Sequence, residues 1–353
     1  MLTLGIETSC DETSVAVVEE GRLIRANVVS SQIELHAPYG GVVPEIASRQ
    51  HVRVISQVTA RALRDAGIGM EHLSAVAATQ GPGLAGALLV GLNFGHGLAL
   101  ALDVPFIPVN HVEGHLHSIW LTSQSLFPPE PEMPLMALVV SGGHTQLVLM
   151  RDHGDYQVVG RTLDDAAGEA FDKVARLLGL SYPGGPAIQA AAAEAQSPVN
   201  VPRAWLPDSF DFSFSGVKTA VLHLLYEIAE GKSPHQIRGK ALPRVDLAAR
   251  LRRQQIADLA AGFQESVVDV LVTKTSAAAA RYDAKSVAVV GGVAANQALR
   301  QRMTAVIHTP LHISPPEFST DNAAMIAAAS FFVPRPAEND DVDVLPSLAL
   351  TTT

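Results

Sequence analysis

A single cysteine, Cys10, stands among 353 residues, so no disulfide can close within the chain, and a reducing, cytoplasmic setting is expected. Basic charge is also scarce. The 25 Lys and Arg face 35 Asp and Glu, and the net charge of -10 works against broad attraction to polyanions. Any nucleic-acid contact must therefore be local or shared with a partner. The opening Met1-Leu2-Thr3-Leu4-Gly5-Ile6 lacks the basic start and long apolar core of an export signal, and reads as a strand. One apolar run, Leu84 to Leu102, reaches membrane-spanning length, but Asn93, His96, Gly86, Gly91, Gly95 and Gly97 interrupt it. An isolated run of this kind reads as a buried helix, and no membrane association is expected. What is plentiful is apolar: 48% hydrophobic against 17% charged residues can fill a large core, and the length allows two domains.

Leu2 to Ile6 and Thr13 to Glu19 read as strands joined by the polar stretch Glu7-Thr8-Ser9-Cys10-Asp11-Glu12. Leu135 to Val140 and Thr145 to Met150 repeat the plan around Ser141-Gly142-Gly143-His144, where glycine lets successive N–H groups converge on an anion. Glycine and serine also favour ordinary turns, so either hairpin alone says little about a ligand. Their recurrence at the head of each half reads as an internal duplication. Between them, Ile46 to Ala66 reads as a long helix, Ala75 to Ala78 as a strand, and Phe106 to Val109 as a strand leading into His111. This is alternating α/β order.

His111 and His115 are four residues apart, on one face of a helix, and can reach the same ion. Glu113 falls about 200° around that helix from His111, which argues against the zinc-peptidase pattern in which Glu directly follows the first His. Two imidazoles need a third ligand from elsewhere. Asp321, in Thr320-Asp321-Asn322, is either that ligand or a stabiliser of the helix it heads.

In the second half, Asp164 to Ala175 reads as a helix with Asp165, Glu169 and Asp172 at helical spacing, consistent with a solvated acidic face. Tyr182-Pro183-Gly184-Gly185-Pro186 should stop it. Phe210 to Thr219 alternates like an edge strand before a helix from Ala220 to Ile228. Gly231 to Arg253 is the clearest basic stretch, and Arg250, Arg252 and Arg253 are candidates for phosphate contact, against the plainer reading of an exposed loop and helix start. Ser286 to Val290 is a strand ending in Gly291-Gly292, where a nucleotide can approach a helix start. The chain beyond Phe332 turns to Pro, Asp and Thr and reads as a loose tail.

Together these stretches resemble the tRNA adenosine threonylcarbamoyltransferases, the TsaD family. The resemblance rests on Gly5 to Thr13, Asn110 to His115, Ser141 to Thr145, Asp165 to Lys173, Tyr182 to Pro186, Phe212 to Lys218, Gly291 to Asn296 and Thr320 to Asn322. It implies a duplicated two-domain α/β fold of the actin, sugar kinase and Hsp70 type (ASKHA) with a central cleft. The expected units are 1–110, 111–319, a helix at 320–334 returning to the first, and the tail at 335–353. It further implies that His111, His115 and Asp321 hold one divalent metal, iron first and zinc second, a ligand set that leaves positions open. Val139, Val140, Ser141, Gly142, Gly143, Asp172, Gly185 and Asn296 should hold threonylcarbamoyl-AMP, with an ATP or AMP moiety lying in the cleft as part of substrate or product. At a further contact position this chain has Gln189.

The implied reaction moves the threonylcarbamoyl group to the N6 amine of the adenosine beside the anticodon, in tRNAs reading codons that begin with A. The Ser141 to His144 turn would supply donors and Asp11 is a candidate for taking the amine proton. The implied partners are tRNA, a TsaB-like paralogous subunit, a TsaE-like ATPase and a TsaC-like enzyme supplying the adenylate. The rival readings are an ATP-dependent kinase of the same fold, a noncatalytic scaffold and, behind them, a metallopeptidase.

Overall fold

Val15-Ala16-Val17-Val18 and Leu135-Met136-Ala137-Leu138-Val139-Val140 carry no polar alternation, which calls for sheets covered on both faces. The computed structural model, which describes residues 1–124, 126–231, 247–333 and 342–350, places both runs on interior strands with no exposed side chain. The strands are β1 (Leu2–Glu7), β2 (Glu12–Glu19), β3 (Leu23–Ser31), β4 (Ala75–Gly81) and β5 (Phe106–Asn110), then β6 (Leu135–Val140), β7 (Thr145–Asp152), β8 (Asp155–Arg161), β9 (Ser286–Val290) and β10 (Leu311–Ile313). They form two five-stranded sheets, ordered β3-β2-β1-β4-β5 and β10-β9-β6-β7-β8. In each, three antiparallel strands are followed by two parallel ones, so the paired hairpins are the visible part of a duplicated plan.

The helices are α1 (Ile33–His36), α2 (Pro44–Ala66), α3 (Ala85–Leu102), α4 (His111–His117), α5 (Ala167–Leu177), α6 (Gly184–Ala192), α7 (Ser215–Glu230), α8 (Arg253–Arg281), α9 (Gln297–Val306), α10 (Pro316–Ser319) and α11 (Ala323–Phe332). Helices α2 and α3 cover one face of the first sheet. The apolar run at α3 packs Ala87, Leu88, Gly91, Leu92, Gly95 and Ala99 inward and leaves Leu89 and Leu100 exposed. Helix α11 returns to the other face of the same sheet and meets β1, β2 and α4. Two glycines permit this. A Cβ on Gly5 would lie 2.2 Å from the Ala323 carbonyl oxygen, and one on Gly114 would lie 2.8 Å from Ile326 Cδ1.

Several local expectations change. Helix α5 starts at Ala167, so Asp164 and Asp165 precede it. The acidic spacing is not a solvated row: Asp165 and Glu169 share Lys173 at 2.7 and 2.8 Å, and Asp172 accepts the Gly184 N–H at 2.7 Å. Pro183 and the glycines after it open α6. Phe212 makes only a single bridge to Thr162, and α7 begins at Ser215 rather than Ala220. The cause is the Asp164 carboxylate, which accepts the N–H groups of Phe214 and Ser215 and the hydroxyls of Ser213 and Ser215, at 2.6–3.2 Å, and so caps the helix from outside.

The tail is not loose over residues 342–350. Leu345 N–H donates to the Gln80 carbonyl at 2.9 Å, Gly83 N–H to the Pro346 carbonyl at 3.1 Å, and Asn110 Nδ2 to the Ala349 carbonyl at 3.1 Å. Val342 and Val344 pack on the first core. Composition missed this because the stretch is ordered by backbone groups of distant strands. In the basic stretch, residues 232–246 lie outside the described residues. Arg250 pairs with Glu230 at 3.1 Å and Arg253 Nε with Glu194 at 2.7 Å, so two of the three candidate arginines already serve carboxylates of this chain.

Candidate active site and metal centre

Helix α4 starts where the sequence caps it: Asn110 Oδ1 accepts the N–H groups of Val112 and Glu113 at 2.9 and 3.4 Å. That start sets His111 and His115 on one face with ring centroids 4.8 Å apart. At α11 the cap is Asn322, whose Oδ1 accepts the Met325 N–H at 3.2 Å. Asp321 is therefore free of capping. Its Oδ1 lies 3.2 Å from His115 Nε2 and 3.6 Å from His111 Nε2.

Behind His111 stands a carboxylate that sequence reasoning left without a role. Glu7 is fully buried at the end of β1. It accepts from Thr79 Oγ1 at 2.6 Å, from the Ser9 N–H, and from His111 Nδ1 at 3.0 Å. Burial would raise its carboxyl, but His111 outweighs that and holds it below its ordinary value. An ionised Glu7 keeps a hydrogen on Nδ1 and directs Nε2 of His111 toward Asp321, where a cation that displaces the Nε2 proton would take its lone pair. The only sequence signal was a charged residue closing an apolar strand.

The electrostatics fit a cation. Burial would raise the Asp321 carboxyl, but His111, then His115 and His144, hold it well below the ordinary range. Burial would lower His111, yet Asp321 and Glu7 raise it to about 9. His115 is fully buried and neither ring nitrogen has an aligned hydrogen-bond partner among the described residues. Such a nitrogen is costly to bury unless something binds it. Two imidazoles and one carboxylate, with their ligand atoms within 4.8 Å of one another, are compatible with a metal site.

A cavity of about 600 Å³ opens in front of this cluster, lined by Asp11, His111, Ser141, Gly142, Gly143, His144, Asp172 and Asp321 among others. Glu113 is buried and does not face it. The Ser141 to His144 turn closes on itself through Ser141 N–H to the His144 carbonyl at 2.8 Å. The N–H groups of Gly142 and Gly143 carry no hydrogen bond among the described residues, and a Cβ added at either glycine would meet no atom within 4 Å. They can receive an anion or a developing negative charge. Burial first, then His111 and His115, lowers His144 to about 4, so it is neutral near pH 7. Asp11 is buried beside Glu12, which burial first and Asp11 next raise to about 9.

A neighbouring cavity of about 390 Å³ is lined by Gly142, Asp172, Gly185, Gln189 and Asn296. Asp172 faces both spaces. Gln189 Oε1 accepts the Gln297 N–H at 2.7 Å, and Asn296 caps α9 through Leu299 N–H at 3.0 Å while donating to Gln264 Oε1 at 2.9 Å. Val139 and Val140 face neither cavity, because their side chains are fully buried in the cores on the two sides of β6.

Two units built on one five-strand plan, with a polar cleft between them, define a duplicated α/β protein of the actin, sugar kinase and Hsp70 class. Solved structures of like fold include HypF of T. kodakarensis, with a TM-score of 0.56 at 14% identity over 94% of this chain and 47% of that one. Another is component A of (R)-2-hydroxyglutaryl-CoA dehydratase from Acidaminococcus fermentans, with a TM-score of 0.53 at 16% identity over 94% of this chain and 98% of that one. These likenesses concern fold alone. The tRNA N6-adenosine threonylcarbamoyltransferase of Thermomicrobium roseum is 52% identical over 346 residues, 98% of this chain and 95% of that protein. The protein of the same name from Dehalococcoides mccartyi is 49% identical over 354 residues, 100% of each. A family model described as TsaD, tRNA N6-adenosine threonylcarbamoyltransferase, matches residues 23–328, and the chain belongs to that family.

Proposed function

We propose that this chain transfers the threonylcarbamoyl group of threonylcarbamoyl-AMP to the N6 amine of the adenosine next to the anticodon, in tRNAs reading codons that begin with A. The observation that carries this reading is family membership together with one cavity onto which Asp11, the Ser141 to His144 turn and the His111, His115, Asp321 cluster all converge. The N6 lone pair attacks the carbamoyl carbon, the bond from that carbon to the AMP phosphate oxygen breaks, and N6 gives up a proton. AMP departs as a stable anion, so no protein nucleophile is needed. The N–H groups of Gly142 and Gly143, in the cavity wall and without a hydrogen-bond partner among the described residues, would stabilise the charge that develops on oxygen. Asp11 is the candidate acceptor for the amine proton. The adenylate nucleotide would lie toward Gly185, Gln189 and Asn296, with Asp172 at the join of the two cavities. Val139 and Val140 would act through their backbone only.

His111, His115 and Asp321 would hold one divalent metal, iron first and zinc second, which when bound supplies Lewis-acid stabilisation of oxygen. The outward face of α3, with Leu89 and Leu100 exposed, supports a protein partner, which we assign to a TsaB-like paralogous subunit. A TsaE-like ATPase and a TsaC-like supplier of the adenylate complete the proposal, in the cytoplasm.

The test is nucleoside mass spectrometry of unmodified tRNA after incubation with the chain, its partner subunits and threonylcarbamoyl-AMP, beside a His111→Ala/His115→Ala control. Threonylcarbamoyl-adenosine from the intact chain alone supports transfer and the role of the cluster. Product in both samples keeps the transferase and rejects an essential metal. No product from folded, metal-loaded protein with competent partners sinks the reading.

A further inference from the structure

A third chamber, of about 420 Å³, opens beside the other two and is walled by Tyr39, Gly40, Asp172, Arg176, Ser181 and Tyr182. Gly40, Asp172, Arg176 and Tyr182 also face the space in front of Asp11, His111 and Asp321, so the two chambers run into one another. Of the residues assigned above to the adenylate, only Asp172 reaches this third space. The chamber therefore has room for a second ligand that approaches the transfer point from the opposite side.

Its walls have a definite chemistry. Arg176, in the last turn of α5, is exposed and makes no close ion pair or side-chain hydrogen bond among the described residues, its nearest countercharge being the Asp172 carboxylate one turn earlier in the same wall. This contrasts with Arg250 and Arg253, which are held by Glu230 and Glu194. The Arg176 guanidinium rests against the turn after α1. A Cβ on Gly40, whose φ of +69° already favours glycine, would come within 2.9 Å of Arg176 Nη2. The cation thus spans the cleft mouth from one unit to the other. Tyr39, 62% exposed, presents its ring at the rim, and Tyr182 stands half-buried deeper in. A planar cation with no close ion-pair partner, in a chamber that two tyrosines also line, matches single-stranded RNA, with phosphate for the guanidinium and bases for the rings.

We propose that this chamber receives the nucleotides flanking the target adenosine of the tRNA anticodon loop, with Arg176 pairing to a backbone phosphate and Tyr39 stacking on a base. The flanking contacts hold the loop open, and the target base turns past Arg176 toward Asp11. The proposal rests on the transferase reading of the same cleft. It also gives a chain of net charge -10 a local grip on a polyanion, through one arginine at a cleft mouth rather than a broad basic surface.

The test measures binding apart from turnover. A fluorescent anticodon stem-loop RNA is titrated with the full chain in complex with its partner subunit, across a salt series, for wild type, Arg176→Gln, Tyr39→Ala and Tyr39→Phe. Variants enter only if their melting temperatures match wild type. Arg176→Gln is expected to weaken RNA binding about tenfold and to reduce the slope of log affinity against log salt by about 0.7. Tyr39→Ala is expected to weaken it at least about fivefold, and Tyr39→Phe to restore it. The KM for threonylcarbamoyl-AMP should not move in any of them. Unchanged RNA affinity and salt slope would overturn the proposal. So would a raised adenylate KM with intact RNA binding, which would assign Arg176 to the adenylate phosphate. A wild-type complex that binds the stem-loop through Arg176 yet transfers nothing would remove the transferase reading while upholding the RNA chamber.

Discussion

Glu7 Oε2 lies 3.0 Å from Nδ1 of His111, at the end of the first strand and directly behind the candidate metal-binding cluster of His111, His115 and Asp321. A carboxylate in this place sets which imidazole nitrogen carries the hydrogen, and so which one faces Asp321. Glu7→Gln is expected to keep the fold and weaken metal binding about 10- to 100-fold. Competition titration against a chromophoric chelator reads this directly, and an affinity equal to wild type would show that Glu7 does not orient the ligand.

Removing the metal should cost stability as well as activity. The candidate ligands come from α4 and from the residue before Asn322, so a cation that binds only the folded chain would join two separate segments. Stripping with chelator should lower the melting temperature, and readdition should restore it in proportion to free metal. His111→Ala/His115→Ala protein should show no such response. A melting curve indifferent to chelator in wild type would argue against a bound metal.

Gly5→Ala places a methyl group 2.2 Å from the Ala323 carbonyl oxygen, where backbone of α11 cannot easily yield. Overpacking of this kind costs about 1–3 kcal/mol or more. Because α11 carries the chain away from Asp321, metal affinity should fall together with the urea midpoint. A variant with the wild-type midpoint would mean that α11 shifts without penalty.

Asp164 caps α7 from outside the helix. Burial would raise its carboxyl, but Ser213, Phe214 and Ser215 donate to it and hold it below the ordinary 3.8. A depressed folded value contributes stability that is present above the unfolded value and disappears as pH falls through the folded one. Asp164→Asn should therefore lower the urea midpoint modestly at neutral pH, and the gap to wild type should narrow as pH falls below the ordinary carboxyl value of 3.8. A gap that persists at low pH would assign the loss to shape rather than charge.

Truncation after residue 341 removes the contacts of Leu345 with Gln80, Pro346 with Gly83, and Ala349 with Asn110, together with Val342 and Val344 from the first core. The expected loss is about 2–4 kcal/mol in urea unfolding. An unchanged midpoint would mean that the segment rests on the surface without holding it.

Much of this molecule was written in local pattern. The unbroken apolar strands demanded sheets covered twice, the recurring hairpins announced duplication, and the four-residue spacing with Asn110 as cap placed His111 and His115 on one helical face. These features depend on backbone periods and on neighbours a few residues away, so the amino-acid sequence by itself determined them. Distant packing decided the rest. Asp321 was set beside His111 and His115 rather than spent as a cap because Asn322 took the cap and α11 fits against Gly5 and Gly114. Glu7 gained its role only when β1 ended beneath α4, and the stretch 342–350 is held by distant groups: the Gln80 carbonyl, the Gly83 N–H, the Asn110 amide and the apolar core under Val342 and Val344. Such contacts join residues far apart in the chain, and no short-range preference encodes which buried carboxylate will meet which imidazole.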